Sequence, residues 1–424
     1  MRKFLFLIKN KLTKLGPGFI TGAADDDPSG IATYSIAGAQ FGYRLNFLSL
    51  FLTPMMIAVQ EMCGRIGMVS GMGLAGTIRK YYSKKLLFFS IILLFIANTV
   101  NIGADLGIMA ASLEMLLGVP FVFWLFTVTI FTILMEVFVP YDKYSRYLKW
   151  MGLTLLVYGI TAILVKQNWL DVIKFTLIPH IELNMTYLMT MVGFLGTTIS
   201  PYLFFWQAAE EVEEEIKEGK IQEFEETPAV IETEVNRMRK DTIAGMIFSN
   251  LITVSIILTT TATLYNHGMH DIQTPQQAAL ALRPLAGNFA YILFAFGIIG
   301  IGLQTVPILA GSVAYAFSEA FGFKEGLAKK LAEAKVFYGT IGLATVIGAL
   351  MNIIGINAIK ALYYTAILNG IIAVPLIAII IRLADDERIV GRYKSRKWSR
   401  IIAWITFAFM AIASALMIYF LIRA

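Results

Sequence analysis

The sequence predicts an all-α polytopic membrane protein with about eleven transmembrane helices, and two observations support this prediction. Of the 424 residues, 57% are hydrophobic and only 15% are charged, and the mean hydropathy is +0.70. A soluble domain carries about 25% charged residues, so this chain has too little polar surface to cover a globule of 47.1 kDa. The second observation is a series of apolar runs, each long enough to cross a hydrocarbon core of about 30 Å.

Eleven apolar runs meet that length, and we take each as one span. They lie at about 17–42, 45–69, 86–117, 121–139, 149–165, 185–209, 241–265, 288–318, 337–356, 359–382 and 400–421. The first ten divide into two blocks of five, one over about 17–165 and one over about 185–382. Because each block contains an odd number of spans, the second block must be inverted in the membrane relative to the first. The eleventh span, 400–421, is an extra helix, and residues 1–424 form a single transmembrane domain.

The distribution of basic residues predicts the orientation. If the N-terminus is cytoplasmic, 28 of the 35 Lys and Arg residues fall in inner loops, six fall on the outer side and Arg65 lies within a span. Inner loops are enriched in Lys and Arg, so we expect the chain in the plasma (inner) membrane with its N-terminus inside and its C-terminus outside. The long polar segment at about 210–240 is then an acidic cytoplasmic linker. We expect its acidic run at 210–215 to begin a solvated loop.

Composition also excludes several classes of function. The basic residues lie in short clusters between apolar runs, so the net charge of +6 does not indicate a nucleic-acid partner. Cys63 is the only cysteine, and the three histidines fall in predicted outer loops. Without thiolate or imidazole ligands in the membrane we expect no zinc site, no redox site and no bound cofactor. The lipid bilayer is the expected environment, and no obligate protein partner is indicated.

Two spans are interrupted near their middles. Span one contains three consecutive acids and a proline, Asp25 to Pro28, and span six contains the polar segment Thr197 to Pro201. A carboxylate near the bilayer centre costs at least about 2.5 kcal/mol, and a proline frees backbone groups that lipid cannot satisfy. A single proline could mark a simple kink, whereas matched breaks in two inverted halves are typical of a transport site.

The side chains at the two breaks offer hard oxygen ligands. They are the Asp27 carboxylate, with Asp26 as an alternative, the hydroxyls of Thr197 and Ser200, and freed main-chain carbonyls. Such ligands suit Mg²⁺, Mn²⁺ or Ca²⁺. They argue against an anionic solute but leave a cationic or zwitterionic organic solute open. Asp27 and Asp105 could imitate the paired aspartates of an intramembrane hydrolase, but their flanking sequences do not resemble such enzymes, so we expect a transporter and not an enzyme.

Further polar residues lie within the spans. Asn98, Asn101 and Asp105 are spaced by three and four residues, which places them on one face of span three. Either interhelical hydrogen bonds or a water-filled path would explain that face. Asn250 in span seven and Gln304 in span eight could donate oxygen to an occluded ion or join helices by hydrogen bonds.

These residues resemble motifs of the Nramp family of divalent metal transporters. Gly16 to Phe19, followed by Asp27 to Gly30, is similar to the family's GPG opening and its DPGN metal motif. Gln60 to Gly71 is similar to the end of the family's second helix, and Ala104 to Leu106 is similar to its ATDLAE segment. The resemblance implies the LeuT-type fold of two inverted five-helix repeats. The metal site that it implies consists of Asp27, Gly30, Thr197 and Ser200.

Two departures from the family pattern bear on the choice of metal. Gly30 stands where the family has the Asn of DPGN, and Ser200 stands where it has the methionine of its AxxMPH motif. A thioether helps a site prefer Mn²⁺ or Fe²⁺ over Mg²⁺, and Mg²⁺ tends to keep several of its waters. The pattern is therefore similar to the Nramp-related magnesium transporter branch, which implies uptake of Mg²⁺ and also of Mn²⁺.

Other departures bear on proton coupling. Tyr202 and Gln207 occupy the positions of two family histidines, and Ile108 occupies that of the glutamate in ATDLAE, so only Asp105 remains of the relay. We expect passive uniport without strong proton coupling, and we expect Tyr202, Gln207, Asp105 and Asp26 to lie beside the metal or to gate its path. The alternatives are a proton-coupled Mn²⁺/Fe²⁺ transporter and an organic-solute symporter on the same fold.

Overall fold

The computed structural model describes residues 16–139 and 155–423, and within these ranges all regular structure is helical. Fifteen helices carry the architecture: α1 Pro17–Asp25, α2 Pro28–Phe41, α3 Asn46–Ser70, α4 Leu74–Tyr81, α5 Lys84–Leu117, α6 Phe121–Phe138, α7 Leu156–Leu164, α8 Trp169–Leu177, α9 Met185–Thr198, α10 Pro201–Lys217, α11 Glu232–Thr263, α12 Ala290–Phe321, α13 Lys335–Met351, α14 Ala358–Asp385 and α15 Lys397–Arg423. Shorter helical turns lie in the connections between them.

The helices correspond to the predicted spans, with spans one and six each formed by a pair of helices. Eight helical stretches in the described ranges are long and apolar enough to cross a membrane. One of them, Pro28–Ser70, contains half of span one together with span two, and α13 is a shorter apolar helix. The predicted span 149–165 is represented by α7 alone, because its first residues, 149–154, lie outside the described ranges.

The segment between spans six and seven differs from the prediction. Helix α10 continues to Lys217 and α11 begins at Glu232, so the connection is shorter than the predicted linker at 210–240. The acidic run at 210–215 does not begin a solvated loop, because Glu211 and Glu215 lie on a buried face of α10. Lys220 compensates part of this charge, with Nζ 3.0 Å from Glu215 Oε2. A hydropathy pattern cannot reveal such burial, since it depends on tertiary contacts.

Helices α1 and α11 pack backbone against backbone. A Cβ atom built on Gly22 would lie 2.2 Å from the carbonyl carbon of Gly245, and one built on Gly245 would lie 2.3 Å from the carbonyl oxygen of Gly18. Only glycine permits this separation, and small residues at membrane helix interfaces allow such close approach. Asp241 on α11 reinforces the contact, because its carboxylate accepts hydrogen bonds from the backbone N–H groups of Gly16 and Phe19, each at 3.0 Å.

A buried ion-pair cluster fixes the other side of α11. The Arg65 guanidinium is fully buried and donates to Glu61 Oε1 at 2.9 Å, to the Tyr393 carbonyl at 2.6 Å and to Ser395 Oγ at 3.0 Å. Arg239 on α11 donates to the same Glu61 carboxylate at 2.7 Å. Because a buried arginine is stable only when it is paired and hydrogen-bonded, this cluster holds α3, α11 and the connection between α14 and α15 together.

The glycine contact yields a stability prediction. Replacing Gly245 by Leu should lower the free energy of unfolding by about 3 kcal/mol or more, because the added side chain meets rigid backbone. Gly339→Leu is the matched control, since the space around Gly339 on α13 is open. Thermal unfolding of both variants in the same detergent checks this. Equal melting temperatures for the two variants would contradict the described contact between α1 and α11.

Candidate functional site

The two helix breaks have the same local structure. Each break spans two residues, Asp26-Asp27 between α1 and α2 and Ile199-Ser200 between α9 and α10, and in each a proline is the first residue of the following helix. The backbone leaves the helical region at equivalent places, with ψ of 56° at Asp26 and 72° at Ile199. The inverted halves therefore present matching stretches of non-helical backbone to each other.

Asp27 is the best-anchored acid at the first break. It is buried, and its Oδ1 accepts hydrogen bonds from the Gly30 backbone N–H and from Ser29 Oγ, both at 2.6 Å. Its Oδ2 accepts from Asn101 Nδ2 of α5 at 2.8 Å. The carboxylate thus caps the N-terminus of α2, where the helix dipole favours negative charge. Three donors fix its orientation before any ligand arrives.

The second break approaches Asp27 through Thr197. Ser29 Oγ lies 3.5 Å from Thr197 Oγ1. A Cβ atom built on Gly30 would lie 3.1 Å from the same Thr197 oxygen and 3.4 Å from Asp27 Oδ1. Of the predicted ligands, Asp27, Gly30 and Thr197 therefore lie together, and any larger residue at position 30 would narrow the space between the two breaks.

Ser200 directs its hydroxyl into its own segment. The Ser200 hydroxyl oxygen lies 2.9 Å from the carbonyl oxygens of both Gly196 and Thr197, which share its one hydrogen as acceptors. Its hydrogen is therefore used locally, while the hydroxyl oxygen and the second lone pair of the Thr197 carbonyl can still accept. The structure places Ser200 at the break, as the sequence predicts, with its donor turned back toward α9.

Two tyrosines join the breaks directly. Tyr202 on α10 donates to the main-chain carbonyl of Ala24 at 2.8 Å. Tyr34 on α2 shares a hydrogen bond of 2.9 Å with Thr198 Oγ1 at the end of α9. Both rings are fully buried. Tyr202, which the sequence places beside the metal or in a gate, is thus a link between the two broken helices.

Asp25 and Asp26 turn toward α11. Ser249 Oγ donates to Asp25 Oδ2 at 2.7 Å, and Thr253 Oγ1 donates to Asp26 Oδ1 at 3.4 Å. Both acids are fully buried. Asp26 is therefore adjacent to Asp27 along the chain, but its hydrogen bond runs to a different helix.

Asp105 adds a fourth buried carboxylate. Its Oδ2 accepts from Thr305 Oγ1 of α12 at 3.2 Å, and it lies one helical turn beyond Asn101, which donates to Asp27. In the described ranges, no ion pair includes Asp25, Asp26, Asp27 or Asp105. The centre of the molecule therefore holds four carboxyl groups that form no ion pair with a basic side chain of the described residues.

The remaining predicted residues occupy different surroundings. Gln304 on α12 is fully buried, and neither polar atom of its side chain has a hydrogen-bond partner among the described residues. Gln207 donates to Glu211 Oε1 at 2.7 Å, one turn further along α10. Asn250 donates to the Ser49 carbonyl at 2.5 Å, so it joins α11 to α3 and does not face the breaks.

Sequence reasoning did not include Ser29 and Asn101 among the site residues. Ser29 carries a local signal, because a hydroxyl two residues after a capping aspartate can reach that carboxylate. Asn101 shares a helix face with Asp105, which the spacing indicates, but its bond to Asp27 depends on how α5 packs and has no local signal.

The cavities next to the site differ between the side of the α1 N-terminus and the side of the α2 C-terminus. Toward the N-terminus of α1 lies a cavity of about 260 Å³ whose lining includes Glu211, Glu215 and Asp241. Toward the C-terminus of α2, a void of about 10 Å³ beside Pro28 and Ile108 is lined mainly by apolar residues. Apolar packing therefore lies directly against Pro28 on one side, while the cavity at the N-terminus of α1 on the other side has more acidic than basic lining residues.

Comparisons with known proteins agree with this architecture. The sequence pattern of the family described as natural resistance-associated macrophage protein-like (Nramp) matches residues 18–420. Relatives named divalent metal cation transporter MntH from Listeria welshimeri and a Nostoc species are each 24% identical, across 96% and 94% of this chain and 90% and 88% of their own lengths.

Solved structures share the fold at lower identity. A manganese transporter of Eremococcus coleocola, in complex with an aromatic bis-isothiourea compound, has a TM-score of 0.72 at 18% identity, over 97% of this chain and 86% of its own. The nucleobase-cation-symport-1 family transporter Mhp1 has a TM-score of 0.59 at 13% identity, over 95% and 91%. The predicted LeuT-type fold is thereby confirmed. Because the family pattern spans nearly the whole chain, this multi-pass membrane protein belongs to the Nramp family.

Proposed function

We propose that this protein takes up divalent cations, Mg²⁺ together with Mn²⁺, through a midplane site between its two broken helices. The observation that carries the proposal is the convergence of Asp27, Gly30 and Thr197 at the matched breaks. Asp27 supplies the charge, Thr197 its main-chain carbonyl, and Ser200 its hydroxyl oxygen or a water held by it. The names of the Listeria and Nostoc relatives support divalent cations as the cargo class.

The donor set supports Mg²⁺ as a substrate. Only oxygen atoms are offered by the proposed ligands, and position 200 carries a hydroxyl in place of the thioether of the family motif. Gly30 keeps this position free of a side chain, and even a Cβ there would lie only 3.1 to 3.4 Å from Thr197, Tyr34 and Asp27. Hard oxygen ligands, without a side chain at position 30, suit an ion that dehydrates reluctantly and keeps several waters.

The cavities suggest the direction of release. We propose that the side of the α1 N-terminus is cytoplasmic, in accordance with the excess of basic residues in the loops on that side. The cavity of about 260 Å³ there is lined by six acidic residues, Glu211, Glu215 and Asp241 among them, and by three basic ones, and this acidic excess attracts cations. The ion would enter from outside when the apolar packing around Ile108 opens, and α1 and α10 would then move to expose it inward.

The groups along this route favour uniport. The Tyr202 hydroxyl and the Gln207 amide stand at positions where the family has histidines, and Ile108 lies in apolar surroundings at the glutamate position. A proton relay needs groups that titrate near neutral pH, and these three do not. A membrane potential of 100 mV contributes about 4.6 kcal/mol for a divalent ion, which is enough to drive uptake without protons.

Removing the Asp27 carboxylate should weaken divalent-ion binding at this site. For Asp27→Asn we expect the dissociation constant to rise about 100-fold, equivalent to about 2.8 kcal/mol, in isothermal titration with Mg²⁺ and with Mn²⁺. Asp271→Asn is the matched control, because Asp271 is an exposed acid in a connection. An unchanged isotherm for Asp27→Asn would exclude the proposed ligand. Thermal stabilisation by an organic cation or amino acid, with none by metal, would favour a symporter instead.

Restoring a thioether should change the preference between metals. We expect Ser200→Met to raise the affinity for Mn²⁺ relative to Mg²⁺ about tenfold, because sulfur is a poor ligand for Mg²⁺. Ser200→Ala is the control, since it removes the hydroxyl without adding sulfur. Competition between the two metals in proteoliposome uptake measures the ratio, and an unaltered ratio would show that position 200 does not contact the ion.

Metal uptake should proceed without acidification of the proteoliposome interior. In proteoliposomes that contain a pH-sensitive dye, uptake of Mg²⁺ or Mn²⁺ should leave the internal pH unchanged while an inside-negative potential accelerates uptake. Protein-free liposomes with the same dye and potential give the background. Acidification that follows metal uptake would contradict uniport and favour a proton-coupled Mn²⁺/Fe²⁺ transporter.

A further inference from the structure

The site at Asp27 leaves two neighbouring acids unexplained. Asp25 and Asp26 are both fully buried, and Asp25 accepts a hydrogen bond from Ser249 while Asp26 accepts one from Thr253, both on α11. The second carboxylate oxygen of each, Oδ1 of Asp25 and Oδ2 of Asp26, is buried and has no hydrogen-bond partner among the described residues. Buried carboxylate oxygens are costly unless they are paired. Both oxygens therefore lack a partner, which a proton or a bound cation would supply.

The charges of the buried acids give a second reason to expect a further bound cation. Asp25, Asp26, Asp27 and Asp105 are all buried, and no lysine or arginine in the described ranges forms an ion pair with any of them. When all four carboxyl groups are ionised, a single divalent ion held at Asp27 balances two of their four negative charges. Asp27 also has three hydrogen-bond donors of its own, whereas Asp25, Asp26 and Asp105 each keep one buried oxygen without a partner among the described residues. Of these three acids, Asp25 and Asp26 are neighbours that both face α11, whereas Asp105 lies on α5 and bonds to Thr305 of α12.

We infer that Asp25 and Asp26 bind a second divalent cation, with the hydroxyl oxygens of Ser249 and Thr253 completing the protein ligands. This inference rests on the proposed function, because the second site would bind the same divalent cations that the protein transports. Two carboxylates neutralise one divalent ion, and carboxylate with hydroxyl oxygen is a hard donor set of the kind that Mg²⁺ and Mn²⁺ accept.

The second site lies next to the first. Consecutive Cα atoms are about 3.8 Å apart, and Asp26 directly precedes Asp27 along the chain, so two bound ions would lie close together and repel each other. Adjacent sites of this kind let the arrival of one ion weaken the binding of another, which allows a deep site to release its cargo. Asp25 is the last residue of α1, whose N-terminus meets the acidic cavity. The second ion would therefore stand on the release side.

The experiment counts bound Mn²⁺ on the purified full-length protein by equilibrium dialysis and records its electron paramagnetic resonance spectrum. We expect two ions per chain at saturation and a spectrum broadened by their proximity. Asp25→Asn combined with Asp26→Asn should bind one ion with a resolved six-line spectrum. Ser249→Ala combined with Thr253→Val, which keeps every charge, should weaken the second binding event about tenfold and leave the first unchanged.

Controls keep the outcomes distinct. Ser255→Ala on the same helix should bind like the wild type, because the Ser255 hydroxyl donates to the Leu251 carbonyl of its own helix. Size-exclusion profiles and melting temperatures identify any variant that does not fold. If the variant with Asp25→Asn and Asp26→Asn does not fold, the variant with Ser249→Ala and Thr253→Val tests the second site instead. One ion per chain in the wild type, or two ions retained in the hydroxyl variant with unchanged affinities, would overturn the second site while leaving the proposed function intact. No bound ion in the wild type would overturn both.

Discussion

A carboxylate buried in a membrane protein must be balanced by hydrogen bonds or by positive charge, and the centre of this molecule is organised around that requirement. Asp27 shows how the chain meets it with hydrogen bonds, since its two oxygens accept from three donors on two helices. The break between α1 and α2 is what makes this possible, because unbroken helix would use the Gly30 N–H internally. The helix break and the buried acid therefore depend on each other.

The two breaks are also joined to each other. Tyr202 of α10 bonds to the freed carbonyl of Ala24, and Tyr34 of α2 bonds to Thr198 at the end of α9. Each bond satisfies a polar group at a place where lipid would offer no partner. The half-helices that surround the proposed ion are consequently coupled across the inverted repeat, so a movement of one break is transmitted to the other.

Local features were predictable from the sequence, and features that depend on packing were not. Proline and acidic residues within apolar runs mark both breaks directly, because their cost in lipid does not depend on tertiary structure. The same reasoning placed Glu211 in a solvated loop, whereas the structure buries it on α10 beside Gln207. It also could not show that Asn101 reaches Asp27 or that Asn250 faces α3, since these contacts depend on helix rotation.

The glycine contact between α1 and α11 determines which interactions resist movement of one helix relative to the other. Where Gly22 and Gly245 meet, no side chains interlock, so the two surfaces are smooth on the scale of an atom. Interdigitated side chains resist sliding as strongly as separation, but two bare backbones resist mainly separation. A displacement of α1 along α11 therefore meets little steric resistance at Gly22 and instead requires the hydrogen bonds of Asp241 and Ser249 to α1 to break.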